Sequence, residues 1–242
     1  MRVATSLLFV IWFYLTMAWF GLIYAPLILF VSDRFIWHAM RGWGKATLFG
    51  LRWICGVHVK FEGLENLPRG AALIAAKHQA TLDTVLPVLF VAEPTFIVKR
   101  ELIKMPIFGF YMKRMIPVDR EAGAKALKDM LRASREVIAK GRQIVIFPEG
   151  TRQEINAPPD YKPGVAAMYR DFGLPCTPIA LNTGLVWRPH GIMRNPGVVT
   201  IKVLPPIPAG LSREEFMRRL ETTIETESQA LLTPNRRRSV AG

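Results

Sequence analysis

The chain has 242 residues, enough for one α/β domain with a short appendage and too few for two catalytic domains, so a single active site is expected. A formal charge of +13 beside 50% hydrophobic residues and a mean hydropathy of +0.21 points to an anionic membrane surface rather than nucleic acid. Cations gain about 1 kcal/mol each near acidic head groups while apolar area enters the bilayer. The two cysteines, Cys55 and Cys176, lie in apolar segments and suggest neither a disulfide framework nor a thiolate metal site, which fits a reducing, cytoplasm-facing domain. No H-E-x-x-H, paired C-x-x-C, Walker A, G-x-G-x-x-G or G-x-S-x-G pattern occurs, so metal, nucleotide and elbow-serine chemistries lose most of their weight.

From Val3 to Val31 no residue is charged, a run long enough to cross a hydrocarbon core of about 30 Å at about 1.5 Å per residue. It is too long for the apolar core of a cleaved signal peptide, and Pro26 is expected to kink or end the helix. Over Phe35 to Val57, His38, Arg41, Lys45 and Arg52 share one side of a helix. Ile36, Met40, Trp43, Leu51 and Ile54 lie opposite, interrupted by Thr47. Such a helix suits the plane of a membrane interface; packing on the soluble domain is the alternative. The excess of Lys and Arg after the first helix places the rest of the chain on the cytoplasmic side.

Beyond Val57, short β-branched runs alternate with helical stretches, the pattern of an α/β fold with a central mixed, largely parallel sheet. The predicted strands are His58–Phe61, Ala71–Ala76, Thr95–Val98, Met115–Val118, Gln143–Phe147, Thr177–Leu181 and Val198–Leu204. Predicted helices cover Ala124–Lys140 and Glu214–Leu231, the second announced by Ser212 and Glu215 in capping-box spacing, with an apolar helix over Thr84–Val91. The expected organisation is a membrane-anchoring segment over 1–57, the α/β domain over 58–232, and a basic tail over 233–242.

Two strand tips carry the chemistry. His78 and Asp83 follow the strand ending at Ala76, where α/β sheets place ligands. A strand-to-helix bend can fold the carboxylate onto the imidazole, as a histidine base needs; from spacing alone Asp83 serves equally as an N-cap and His78 as a loop histidine. Phe147-Pro148-Glu149-Gly150-Thr151-Arg152 ends another strand at the same edge if the sheet is parallel. There an arginine can fork a phosphate and a glycine admits a ligand closely, although an ordinary surface turn reads the same way. Lys99-Arg100 and Asp119-Arg120 end two further strand candidates and offer converging cations or simply a solvated face.

With those residues in view, the chain resembles the glycerolipid acyltransferases typified by the 1-acylglycerol-3-phosphate (lysophosphatidic acid) acyltransferases. His78 to Asp83 matches their H-x-x-x-x-D block, Ile116 to Arg120 the block ending in D-R, Phe147 to Arg152 the F-P-E-G-T/S-R block, and Thr177 to Leu181 an apolar block with a proline. The order and spacing agree over roughly Phe61 to Leu204. One departure is Lys77, where many relatives have Asn; a cation there could lower the pKa of the base or bind phosphate.

The resemblance implies that His78, oriented by Asp83, deprotonates the acceptor hydroxyl for direct attack on an acyl thioester. The chain's six serines include none beside His78, and the cysteines sit where a thiol stays protonated, so the substrate alcohol is the simplest nucleophile. It further implies an acceptor-binding pair in Glu149 and Arg152, a turn shaped by Gly150 and Thr151, and a phosphate-binding Arg120, with Lys99 a further phosphate candidate. The expected partners are membrane lipids, lysophosphatidic acid, and acyl-CoA or acyl-carrier protein as donor, without nucleic acid, metal or other cofactor. Competing readings are an acyltransferase for glycerol 3-phosphate or another lysolipid, a hydrolase using His78 to activate water, and a non-enzymatic basic membrane-binding protein.

Overall fold

The computed structural model describes residues 2–30, 34–105, 108–119 and 123–232; the predicted basic tail and Arg120 lie outside them. Two long N-terminal helices, α1 (Arg2–Phe30) and α2 (Arg34–Cys55), precede a seven-stranded sheet. Its strands are β1 (Val57–Glu62), β2 (Ala72–Ala76), β3 (Pro94–Lys99), β4 (Ile116–Val118), β5 (Gln143–Ile146), β6 (Cys176–Leu181) and β7 (Gly197–Val203). Each predicted strand is present with ends within one residue of the expectation. The spatial order is β1-β7-β6-β2-β5-β3-β4, parallel throughout except between β6 and β7.

Both faces of the sheet are covered. One buries Leu73, Ala75, Ile144 and Cys176 beneath α6 (Gly123–Ala139), α7 (Gly164–Phe172) and α8 (Arg213–Ala230), through Met130, Tyr169, Phe216, Leu220 and Ile224. This is why β2 is apolar at every position instead of alternating. The other buries Ile74, Val145, Ile179 and Ile201 in one continuous core with Phe9 and Phe13 of α1 and Ile36, Trp37 and Leu51 of α2. The N-terminal helices are therefore built into the domain.

The hairpin of α1 and α2 is close-packed: a Cβ on Gly50 would stand 2.4 Å from the Trp12 ring, whose Nε1 donates to the Ala46 carbonyl at 2.8 Å. Of the kink or end expected at Pro26, the end does not occur. α1 runs on to Phe30, braced one turn earlier by the Tyr111 hydroxyl, which donates to the Gly21 carbonyl at 2.9 Å. The outer side of α1 leaves Leu8, Ile11, Leu15, Trp19 and Leu22 more than half exposed, and its length and composition suffice to cross a membrane.

The cationic side of α2 meets the domain through Arg41, which donates to the carbonyls of Val88 and Ala92 and so caps the end of a short helix. Thr47 is fully buried, whereas Phe49 and Trp53 are exposed, so α2 packs on the domain along one side and shows aromatics on another. The apolar helix expected over Thr84–Val91 is two short turns, α3 (Leu82–Val85) and α4 (Pro87–Phe90), because Pro87 has no N–H to continue the ladder. The short helix α5 (Phe108–Met112) and α7 are additions to the expected elements.

Candidate active site

β2 ends at Ala76, and the next residues turn sharply into α3. Asp83 closes that turn. Its Oδ2 accepts the backbone N–H groups of Gln79 at 2.5 Å and Ala80 at 2.7 Å and lies 3.2 Å from His78 Nδ1; its Oδ1 accepts the Thr183 hydroxyl at 2.5 Å. Five residues apart, His78 and Asp83 would diverge on a straight helix; the turn folds them together. Asp83 is fully buried, while the imidazole keeps 13% exposure and stacks on Phe147 with ring centroids 4.1 Å apart. An acceptor-only carboxylate at Nδ1 fixes the proton on that nitrogen and leaves the Nε2 lone pair available, the state a general base requires.

The second tip comes alongside because β2 and β5 are parallel and paired Ala75 to Ile146. That offset persists past the strands. His78 N–H donates to Glu149 Oε1 at 3.4 Å, and Arg152 Nη1 donates to Thr81 Oγ1 at 3.0 Å, both 71 residues apart. Gln153 N–H adds a bond to the His78 carbonyl at 2.8 Å. The turn depends on Gly150, whose φ of 69° is left-handed and whose N–H closes on the Phe147 carbonyl. Arg152, half-buried, thus reaches the same turn that carries His78.

Glu149 faces inward. Its carboxylate has no exposure, and Oε1 lies 3.2 Å from Lys77 Nζ. Burial pushes its proton affinity above the usual glutamate range, opposed by the Lys77 charge and by the His78 N–H. Lys77, 2% exposed, points away from solvent to Glu225 Oε1 on α8 at 2.6 Å, and the Tyr161 hydroxyl donates to that oxygen at 2.9 Å. Lys77 accordingly presents no charge to a phosphate at the surface.

Lys99 is exposed at the C-terminal end of β3, at the same sheet edge and next to β5. Arg100 pairs with Asp119 at 3.6 Å across the ends of β3 and β4. The phosphate role expected of Arg120 falls outside the described residues. Cys55 and Cys176 are buried, which raises both thiols and leaves them poor nucleophiles. Sequence reasoning missed Thr183, Glu225 and Tyr161: each stands 64 to 148 residues from the side chain it serves, beyond any local pattern. Gln79 reads in sequence only as a neighbour of the base, yet its Oε1 accepts the Gly184 N–H at 3.0 Å and ties the turn to the end of β6.

The family description "Acyltransferase" matches residues 58–182, a span that holds His78, Asp83, Glu149 and Arg152 and stops short of Thr183 and of Glu225 on α8. A 1-acyl-sn-glycerol-3-phosphate acyltransferase of Pseudomonas aeruginosa is 30% identical over 200 residues, covering 80% of this chain and 78% of that one. A protein of the same name from Cocos nucifera is 29% identical over 169 residues, covering 68% of this chain and 54% of its own. Among solved structures, the 1-acyl-sn-glycerophosphate acyltransferase PlsC of Thermotoga maritima superposes with a TM-score of 0.79 at 25% identity, covering 96% of this chain and 98% of that one. Fold, strand-tip geometry and these likenesses together make the chain a member of the acyltransferase family.

Proposed function

We propose that this acyltransferase is a 1-acylglycerol-3-phosphate O-acyltransferase, transferring a fatty acyl chain from acyl-CoA or acyl-carrier protein to the free hydroxyl of lysophosphatidic acid to give phosphatidic acid. The observation that carries the reading is the Asp83-oriented imidazole of His78 in the turn that Arg152 also reaches. His78 Nε2 takes the hydroxyl proton as the oxygen attacks the thioester carbonyl carbon. The tetrahedral intermediate then collapses, the C–S bond breaks, and the imidazolium gives its proton to the departing sulfur, which leaves as the free thiol and restores neutral His78. Arg152 binds the acceptor phosphate as a guanidinium fork, with Lys99 as a second cation on the same edge. Glu149 holds the site from inside, since a carboxylate without exposure has no face for an acceptor. The exposed apolar side of α1 associates with the membrane, with the α/β domain on the cytoplasmic face.

Thiol release from the thioester, followed over a panel of acceptors with purified protein, tests the assignment. Turnover with 1-acylglycerol 3-phosphate is expected; release strictly requiring glycerol 3-phosphate, or free fatty acid without acylated lipid, would overturn it. In the same assay His78→Ala lowers kcat by about 10²–10⁴-fold, whereas Arg152→Ala raises the acceptor KM by about ten-fold or more. Equal losses in both parameters for both variants would contradict this division of labour.

A further inference from the structure

Behind the strand tip that carries His78, an unbroken run of polar contacts crosses to the C-terminal helix. The Tyr161 hydroxyl donates to Glu225 Oε1, Lys77 Nζ lies 2.6 Å from that oxygen and 3.2 Å from Glu149 Oε1, and Glu149 Oε1 accepts the His78 N–H. Lys77 and Glu149 are buried, so no bulk water can replace a lost partner, and removing one charge leaves the next uncompensated. Tyr161 is itself seated beside the β5 turn, because the N–H of the next residue, Lys162, donates to the Pro148 carbonyl at 2.8 Å.

The same helix reaches the other half of the dyad. Past Glu225, the Leu231 carbonyl accepts from Asn182 Nδ2 at 2.9 Å, and Ser228 Oγ accepts the Leu181 N–H at 3.4 Å. Asn182 immediately precedes Thr183, whose hydroxyl holds Asp83. α8 therefore braces His78 through Glu225, Lys77 and Glu149, and braces Asp83 through the end of β6.

We propose that Lys77, Glu225 and Tyr161 are positioning residues for acyl transfer, a buried relay by which α8 holds the His78 backbone in register with Asp83. This deepens the proposed function and rests on it for its kinetic arm. Glu225 lies beyond residues 58–182, the span that matches the family description. The relay thus ties α8, outside that match, to the turn that carries His78.

The test uses the full chain with Lys77→Met and Glu225→Gln. Glu225 is one-fifth exposed and its glutamine keeps the shape, so that variant serves if Lys77→Met does not fold. Saturating kinetics are read beside hydrogen–deuterium exchange of the peptide 77–83, with the β1–β7 ladder as internal control. Expected are a fall in kcat of about ten-fold for Lys77→Met and a few-fold for Glu225→Gln, acceptor KM changed less than about two-fold, and faster exchange at 77–83 with the control unaltered. Unchanged exchange at 77–83 in both variants would overturn the relay whatever activity does. Protection lost equally throughout the sheet would overturn it too, by showing a merely stabilising pair. Exchange is read without substrate, so a wild type lacking acyl transfer would sink the proposed function while the coupling to α8 is still measured.

Discussion

Two carboxylates flank the tip of β2, Asp83 on the side of the imidazole and Glu149 on the side of the protein interior. Asp83 draws three of its four contacts from residues within five positions of itself, and both of its oxygens are engaged. Glu149 takes its contacts from Lys77 and His78, beyond a different strand, and its Oε2 has no hydrogen-bond partner among the described residues. The first is a turn closing on itself; the second is a charge held in place by sheet register and by a helix from the far end of the chain. The same side-chain chemistry thus has two settings, one against the imidazole and one behind its backbone, and the difference lies in how far away the partners are.

Replacing Asp83 by Asn gives the largest effect and tests the local half. The amide oxygen can keep the Gln79 and Ala80 N–H groups while its NH₂ turns to the Thr183 hydroxyl, so the fold persists. The imidazolium formed during proton transfer loses its counter-charge, and kcat is expected to fall by about 10²-fold or more with far-UV circular dichroism unchanged. Wild-type kcat would reduce Asp83 to the closure of the turn between β2 and α3.

Replacing Glu149 by Gln tests the remote half through pH. Its folded proton affinity is raised by burial, so its contribution to stability is complete below its unfolded value of 4.5 and is lost as pH climbs through the folded value. Gln has no proton to lose. The variant's Tm should therefore gain on that of the wild type as pH rises above 4.5. Parallel Tm curves would show that Glu149 has ordinary proton affinity when folded.

The smallest effect belongs to Ser212, whose Oγ accepts the Glu215 N–H at 3.2 Å and caps α8 about four turns before Glu225. Ser212→Ala should cost about 1 kcal/mol, seen as a Tm lower by about 2–4 °C, with kcat unaltered. A matching fall in kcat would mean that the brace on His78 extends to the start of the helix.

Legibility in the sequence follows the same division between near and far. Strands appeared where β-branched runs stop at turn residues, and α8 where Ser212 and Glu215 stand in capping spacing. His78 and Asp83 were readable because strand, turn and helix start fall within a dozen residues. Where a residue has one local meaning and another in context, the expectation failed. Pro26 reads as a kink or an end, yet α1 continues past it to Phe30. Lys77 reads as a cation beside the base, yet Glu225 and Glu149 draw it inward. For α2, read either as a membrane-interface helix or as one packed on the domain, Arg41 at the end of α4 shows a packed side.

By itself the sequence determined the alternation of strands and helices, the apolar length of α1 and a strand-to-helix bend in which His78 and Asp83 can meet. These are set by side-chain periodicity and by bonds between residues a few positions apart. Only the tertiary structure decided that β2 and β5 pair so that Arg152 meets Thr81, that Thr183 completes the Asp83 shell, and that α8 stands behind the His78 turn. Contacts between residues 64 to 148 positions apart leave no periodic trace in a single chain, because they exist only once the hydrophobic faces of the sheet have chosen which strands lie side by side.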